Sequence, residues 1–432
     1  MSHVSKLVCV QCGADYAEGG PWTCPACGPD EGILDVRFDL ARAAKTLTRA
    51  ALAKRPYSHW RYQELLPLDW PHPAGLAHIG WTPLIEAPRL AKELGVARLR
   101  LKDDGRNASG SFKDRPSSLA VARAMEVEKK HAVACASTGN AASSLAHAAA
   151  AAGKSAYIFV PQSCPEGKLA QMLAYGACVF RVQGSYDQAY QLCNEACREF
   201  GWYNRNCAIN PYLVEGKKTG GLEVAEQCAD DPPDWVSASV GDGCSIAGMQ
   251  KGLAEMKAVG IVDWSARMLG VQAAGCAPIV EAMTTNRLDR SGKGDTYADS
   301  INCPVPRNWR KAVRAIKDSD GAYVTVTDEQ IMDAVRATGG LSGIFAEPAA
   351  ATAVAGVAEA VRRGILDSHS NVVAMITGNG LKDTAGALKA VIYSNDIAPD
   401  IAHVKRIVSI EMRNSIRWHL ENRSKERRPG RH

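Results

Sequence analysis

The chain has 432 residues, 46% of them hydrophobic and 22% charged, which suits a globular protein of two or three domains. No run of about 18 apolar residues occurs, so no membrane-spanning helix is expected, and the segment Met1–Cys9 lacks the apolar core of a signal peptide. The formal charge is +5, but residues 401–432 hold nine Lys or Arg against three Glu, which leaves the other 400 residues close to neutral and argues against a nucleic-acid-binding body.

Residues 1–40 open with Cys9-Val-Gln-Cys12-Gly and Cys24-Pro-Ala-Cys27-Gly. Two C-x-x-C turns at this spacing can bring four thiolates onto one tetrahedral ion, zinc in the first instance. Such a closed site has no open position, so its role would be structural. Most of the remaining cysteines (Cys135, Cys178, Cys193 and Cys197 among them) are scattered singly through apolar contexts. That pattern suits free thiols in a reducing compartment, and a cytoplasmic location is expected. Residues 41–70 are predicted as a helical connector, followed by a strand entry at Gly80-Trp-Thr-Pro-Leu, a helix over 89–94 and a strand over 97–102. His59, His72 and His78 lack metal-ligand partners at helical spacing.

Asn107-Ala-Ser-Gly-Ser-Phe-Lys-Asp-Arg115 is a small-residue loop with one lysine, Lys113, running into Pro116 and an alanine-rich helix. A solvated surface lysine and an amine held for Schiff-base chemistry are both open on this stretch alone. Strand–turn–helix units then alternate: strands over 131–136, 155–160, 178–182, 235–240, 268–272, 323–326 and 371–377, with helices over 116–130, 140–152, 166–175, 186–200, 217–228, 327–337 and 347–363. This rhythm predicts parallel α/β sheets with right-handed crossovers. Residues 285–320 read as an irregular excursion, Gly339-Gly340 as a break after the 327–337 helix, and the C-terminal 30 residues as a helix followed by a disordered, solvated end.

Ligands of parallel sheets bind where strand ends meet helix N-termini. Three turns here have fitting composition: Ser137-Thr-Gly-Asn140, Gly241-Asp-Gly-Cys-Ser245 and Thr377-Gly-Asn-Gly380. The second can surround a phosphate with backbone N–H groups, although a plain tight turn is equally open. It lacks both the dinucleotide fingerprint and the Gly-Lys-Ser/Thr ending of a P-loop. A phosphate cradle, a loop lysine and two polar strand ends together fit pyridoxal 5′-phosphate. Lys113 would hold the aldehyde, and the Thr377 hydroxyl would face the pyridine nitrogen, a neutral partner that favours elimination chemistry.

With these residues in place, the chain resembles the fold-type II (tryptophan synthase β-like) pyridoxal-phosphate enzymes, and among them the threonine synthases, over about residues 6–395. The resemblance runs through the cysteine turns, Trp60-Arg-Tyr-Gln-Glu-Leu-Leu-Pro67, Gly110-Ser-Phe-Lys-Asp-Arg115, Ser137-Thr-Gly-Asn140, Asn210-Pro-Tyr, Glu215-Gly-Lys-Lys-Thr219, Glu347-Pro-Ala and Thr377-Gly-Asn-Gly-Leu-Lys-Asp383. It implies two doubly wound, mainly parallel α/β domains, the smaller over 100–205 and the larger, phosphate-binding one over 76–99 and 206–400. A zinc-ribbon-like segment (1–40), a connector (41–75) and a basic tail (401–432) complete the division. It further implies Lys113 as the Schiff-base lysine and Phe112 as its pocket-shaping neighbour. Asn140 would be the partner of the cofactor's 3′-hydroxyl, Ser137 and Thr138 with Asn140 would hold the substrate carboxylate, and Gly241, Asp242, Gly243, Cys244 and Ser245 would form the phosphate cradle. Thr377 would serve the pyridine nitrogen, Lys218 would contact a substrate anion, and Cys9, Cys12, Cys24 and Cys27 would hold a structural zinc. The implied activity converts O-phosphohomoserine and water to threonine and phosphate, in a homodimer, with no nucleic-acid or membrane partner.

Some positions depart from the family pattern. Leu213 stands where an arginine is usual, and leucine cannot bind phosphate. Ala108 replaces a proline, His78-Ile-Gly80 replaces an acidic Gly-Glu-Gly, and the Asp242 and Cys244 cradle is nearer the broader family. These changes fall toward the substrate. They keep open a relative acting on O-phosphoserine or another substituted amino acid (cysteate synthase-like or serine/threonine dehydratase-like), and a degenerate cofactor-binding protein.

Overall fold

In a computed structural model the chain is described over residues 3–68, 72–164, 166–207, 209–391 and 397–409. It divides into a unit of Met1–Ala390 and a unit of Val391–His432. In the second, residues 401–409 are helical, and most of the expected basic tail (410–432) lies outside the described residues. No helix among the described residues is long and apolar enough to cross a membrane.

The first unit holds thirteen strands among the described residues: β1 (Val4–Cys9), β2 (Asp15–Tyr16), β3 (Leu34–Phe38), β4 (Leu84–Glu86), β5 (Arg98–Asp103), β6 (Ala132–Ala136), β7 (Ser155–Pro161), β8 (Cys178–Val182), β9 (Tyr203–Asn204), β10 (Trp235–Ser239), β11 (Arg267–Ala273), β12 (Ala322–Val326) and β13 (Asn371–Ile376). They form an antiparallel sheet β2-β1-β3, a six-stranded sheet β12-β11-β10-β13-β5-β4 and a parallel sheet β8-β7-β6-β9. In the six-stranded sheet only the edge strand β4 runs antiparallel. β6, β10 and β13 are buried along their length or nearly so and read as apolar runs, as strands covered on both faces do. β5 spans residue 100, where the smaller domain was expected to begin, and it pairs in the six-stranded sheet.

The helix Leu213–Gln227 is buried nearly all round. Its Gly220 and Gly221 meet Met249, and Gly248 and Gly252 of the helix Cys244–Ala258 meet its backbone in return. Small residues let these two helices approach closely where any Cβ would collide. The helix starts at Leu213 rather than at 217, because Tyr212 already has helical backbone angles and acts as the cap. Two further elements differ from the sequence reading. A helix, Trp309–Asp318, lies inside the supposed irregular stretch, burying Trp309, Ala312, Val313 and Ile316. The helix Asp328–Ser342 runs through Gly339-Gly340 and stops at Gly343, which takes the left-handed conformation at φ 74°.

Charges are buried in two networks. Arg115 pairs with Asp104 Oδ2 at 2.7 Å and Glu223 Oε1 at 2.5 Å, and Lys102 pairs with Glu223 Oε2 at 2.8 Å, all four side chains being fully enclosed. The second joins the small sheet to the helices: Lys251 reaches Asp35 at 3.3 Å and Glu215 at 2.7 Å, and Lys311 lies 3.5 Å from Asp35.

Candidate active site

Lys113 caps the helix Asp114–Glu126 at the end of the small-residue loop. The loop is stitched to the end of β13. Phe112 N–H donates to the Thr377 carbonyl at 2.8 Å, Asn379 N–H donates to the Gly110 carbonyl at 3.0 Å, and Ser111 bridges Gly378. Gly110 turns with φ 85°, in the left-handed region open to glycine. The lysine is thereby presented to a cavity of about 730 Å³ that Ser137, Gly241, Asp242, Gly243, Cys244, Ser245 and Thr377 also line. The strand ends expected to carry chemistry therefore converge.

The cradle is built by the sharp turn from β10 into the helix Cys244–Ala258. Gly243 caps that helix at φ 91°, and a Cβ there would lie 2.9 Å from both the Asn308 carbonyl and the Ala312 methyl. The Asp242 carboxylate does not face a ligand anion. It accepts from Arg307 N–H and Asn308 Nδ2, each at 2.9 Å, and so fixes the turn from outside. What remains for a phosphate is backbone N–H groups, the Ser245 hydroxyl and the positive end of a 15-residue helix. A bare cradle shaped for glycine and an amine inside the same cavity fit pyridoxal 5′-phosphate.

Burial, then the nearby Lys217 ammonium, lowers the Lys113 pKa from its ordinary value. Glu347 also lines the cavity, and the sequence reading left it without a role. Burial raises its pKa, while Asn140 Nδ2 donates to its two oxygens at 3.0 and 3.1 Å. Thr138 and Asn140 line a neighbouring pocket of about 460 Å³ rather than the main cavity.

Two expected residues lie elsewhere. Phe112 is fully buried in the core, its ring against Gly220, and does not line the cavity. Lys218 is likewise fully buried, 2.7 Å from both Glu215 and Glu255 and with its ammonium 3.8 Å from the centre of the Phe38 ring. It serves the second buried network. Its neighbour Lys217 faces the cavity instead, donating to Cys207 Sγ at 3.0 Å, with Arg205 Nη1 at 3.5 Å from the same sulfur. The Cys244 thiol beside it, whose Sγ–H donates to Asp242 Oδ2 at 2.9 Å, and then the Lys217 and Arg205 cations, hold Cys207 well below the usual thiol range despite burial. One Arg205 nitrogen, Nη2, is buried without a hydrogen-bond partner. Leu213 is buried in the apolar core.

In the N-terminal sheet the sulfurs of Cys9, Cys12, Cys24 and Cys27 all lie within 4.8 Å of one another. Gly13 and Gly28, each following a cysteine pair, turn with φ 78° and 75°. The arrangement fits one tetrahedral ion.

The family described as "Pyridoxal-phosphate dependent enzyme" matches residues 76–378. A threonine synthase of Methanocaldococcus jannaschii is 37% identical over 404 residues, covering 93% of this chain and 98% of that protein. A threonine synthase of Methanosarcina acetivorans is 37% identical over 381 residues, covering 87% and 92%, and one of Mycobacterium leprae is 38% identical over 331 residues, covering 76% and 89%. Among solved structures, the processed threonine deaminase isoform 2 of Solanum lycopersicum superposes with a TM-score of 0.63 at 23% identity, covering 72% of this chain and 87% of that one. An L-serine ammonia-lyase from Rhizomucor miehei gives 0.63 at 22% identity, covering 72% and 96%. These structures share the fold.

Proposed function

The chain belongs to the pyridoxal-phosphate-dependent enzymes and within them to the threonine synthases, and on that premise we propose how its residues convert O-phosphohomoserine and water to threonine and phosphate. Pyridoxal 5′-phosphate, when bound, supplies an aldehyde for the substrate amine and an electron sink for charge developing at Cα. Lys113 would be its anchor, the base that takes the Cα proton and the carrier of protons to the neighbouring carbons. The lowered pKa suits this, because a neutral amine takes a proton and an ammonium does not. Backbone amides of Gly241–Ser245 would hold the cofactor phosphate, and the Thr377 hydroxyl would serve the pyridine nitrogen. Ser137 and Thr138, ahead of the helix Asn140–Ala151, hold the substrate carboxylate. Asn140 and Glu347 form one unit, the carboxylate fixing the amide, and would serve the cofactor's hydroxyl. Lys217 and Arg205, in place of Lys218, form the cationic wall for the anionic end of the substrate.

The observation that carries this reading is the amine of Lys113 in the same cavity as a glycine-shaped helix N-terminus. The test is phosphate release from O-phosphohomoserine and from O-phosphoserine by cofactor-loaded enzyme. Release and threonine from the first support it, and release from the second alone would assign the site to a phosphoserine-acting relative. The four-cysteine cluster is assigned to structural zinc on its four-sulfur chemistry. A cytoplasmic location accords with free cysteines throughout the described chain.

A further inference from the structure

The proposed function gives the four-cysteine segment no part in the site, yet that segment reaches the cavity. Pro29 and Asp30, just beyond Cys27, line the same cavity as Lys113 and the phosphate cradle. Asp30 Oδ1 lies 3.6 Å from Arg307 Nε. The next residue, Glu31, pairs with Arg290 Nη2 at 2.5 Å and with Arg310 Nε at 3.2 Å. Three acid–base pairs therefore fasten residues 30–31 along the 290–310 stretch.

Arg307 is well placed for more than this. Its backbone N–H donates to Asp242 Oδ1 at 2.9 Å, so its position is set by the cradle turn itself. Its guanidinium lies over the Tyr190 ring, 4.5 Å from the centroid, and lines the cavity. The pairing with Asp30 is half-exposed and has a single, long contact, which leaves most of the guanidinium's five N–H donors free for an incoming anion. An exposed pair of this kind contributes little and is readily exchanged for a better partner. A phosphate offers two oxygens in a fork that a guanidinium matches, and it carries more charge than a carboxylate.

Resting on the phosphorylated-substrate reading above, we propose that Arg307 binds the phosphate of the substrate, and that Asp30 of the four-cysteine segment is a competing anion that occupies the guanidinium until the substrate phosphate displaces it. Arg307 is then the outer cation of a path whose inner cations are Arg205 and Lys217. The four-cysteine segment becomes part of the machinery that selects the substrate and not only a brace for the fold.

The test uses cofactor-loaded enzyme and O-phosphohomoserine, with kcat and KM measured for wild type, Arg307→Gln, Arg307→Lys and Asp30→Asn. Loss of one charge-assisted contact predicts KM raised about tenfold in Arg307→Gln, with kcat and the visible cofactor absorption little changed. Arg307→Lys should recover part of the loss. Asp30→Asn removes the competing anion and should lower KM by up to about threefold, the scale of an exposed ion pair, and an unchanged KM would overturn the part assigned to Asp30. The inference is overturned if Arg307→Gln and Arg307→Lys both keep the wild-type KM, or if Asp30→Asn raises KM as much as Arg307→Gln does, since the segment would then only support the fold. Failure of the wild type to release phosphate from O-phosphohomoserine would instead overturn the functional reading, and the inference with it.

Discussion

Asp114, the residue after Lys113, carries one of the clearest consequences of placing charge in this fold. Its Oδ2 accepts from Ser109 N–H and Oγ–H, both at 2.9 Å, while Oδ1 faces His147 Nδ1 at 3.7 Å without a hydrogen bond. Burial pushes its pKa up to about 7. A carboxyl of ordinary pKa, about 3.9, loses its proton in the unfolded chain well before this one does. Between those values the folded state binds more protons, so this group's contribution falls as pH rises from about 4 to about 7. Replacing it with Asn removes that dependence. Melting temperatures of wild type and Asp114→Asn should therefore draw apart in the wild type's favour as the pH is lowered through this window, and parallel profiles would contradict the assignment. Arg115 gives the complementary case. Its guanidinium neutralises Asp104 and Glu223 in full burial, so Arg115→Met leaves two carboxylates without their main partner and should cost about 3–5 kcal/mol in denaturant unfolding, if the variant folds at all.

Among the elements, the turn from β10 into the helix Cys244–Ala258 is the one proposed to set cofactor affinity. Gly243→Ala forces a Cβ into the left-handed region, at about 1–2 kcal/mol, and against the Asn308 carbonyl. Titration with the cofactor, followed by visible absorption, should show weaker binding by at least about tenfold, and unchanged affinity would remove the cradle from the site. The β–α rhythm that creates this turn was legible in the sequence, because buried parallel strands are apolar runs and their helices keep a 3.6-residue period. What failed was phase. Adjacent residues on a helix point about 100° apart, so placing the start at 217 instead of Leu213 gave no basis for choosing between Lys217 and Lys218. The helix Trp309–Asp318 was hidden by the Gly, Asp and Pro residues before it, although Trp309, Ala312, Val313 and Ile316 keep helical spacing. Arg205, Cys207 and Arg307 reach the cavity only through the tertiary fold and no local pattern announces them, while Glu347 stood in a recognised motif whose partner, Asn140, lies 207 residues away.

Over the whole molecule, the N-terminal sheet is tied to the catalytic body through its own charges. Asp35 on β3 pairs with Lys251 and Lys311, and Phe38 covers Lys218. A metal held by Cys9, Cys12, Cys24 and Cys27 would therefore stabilise both the sheet and its seat on the helices behind the cradle. Cys9→Ser with Cys24→Ser should lose the bound metal on elemental analysis and lower the melting temperature of the first unit. Unchanged metal content would refute the site. The account as a whole stands on Lys113. Reconstitution of wild type and Lys113→Ala with pyridoxal 5′-phosphate, followed by visible absorption and by phosphate and threonine release from O-phosphohomoserine, tests it most directly. The wild type should show the absorption of a lysine-bound cofactor and release phosphate and threonine in equal amounts, and Lys113→Ala should do neither. A variant that keeps both, or a wild type that shows neither, would contradict it.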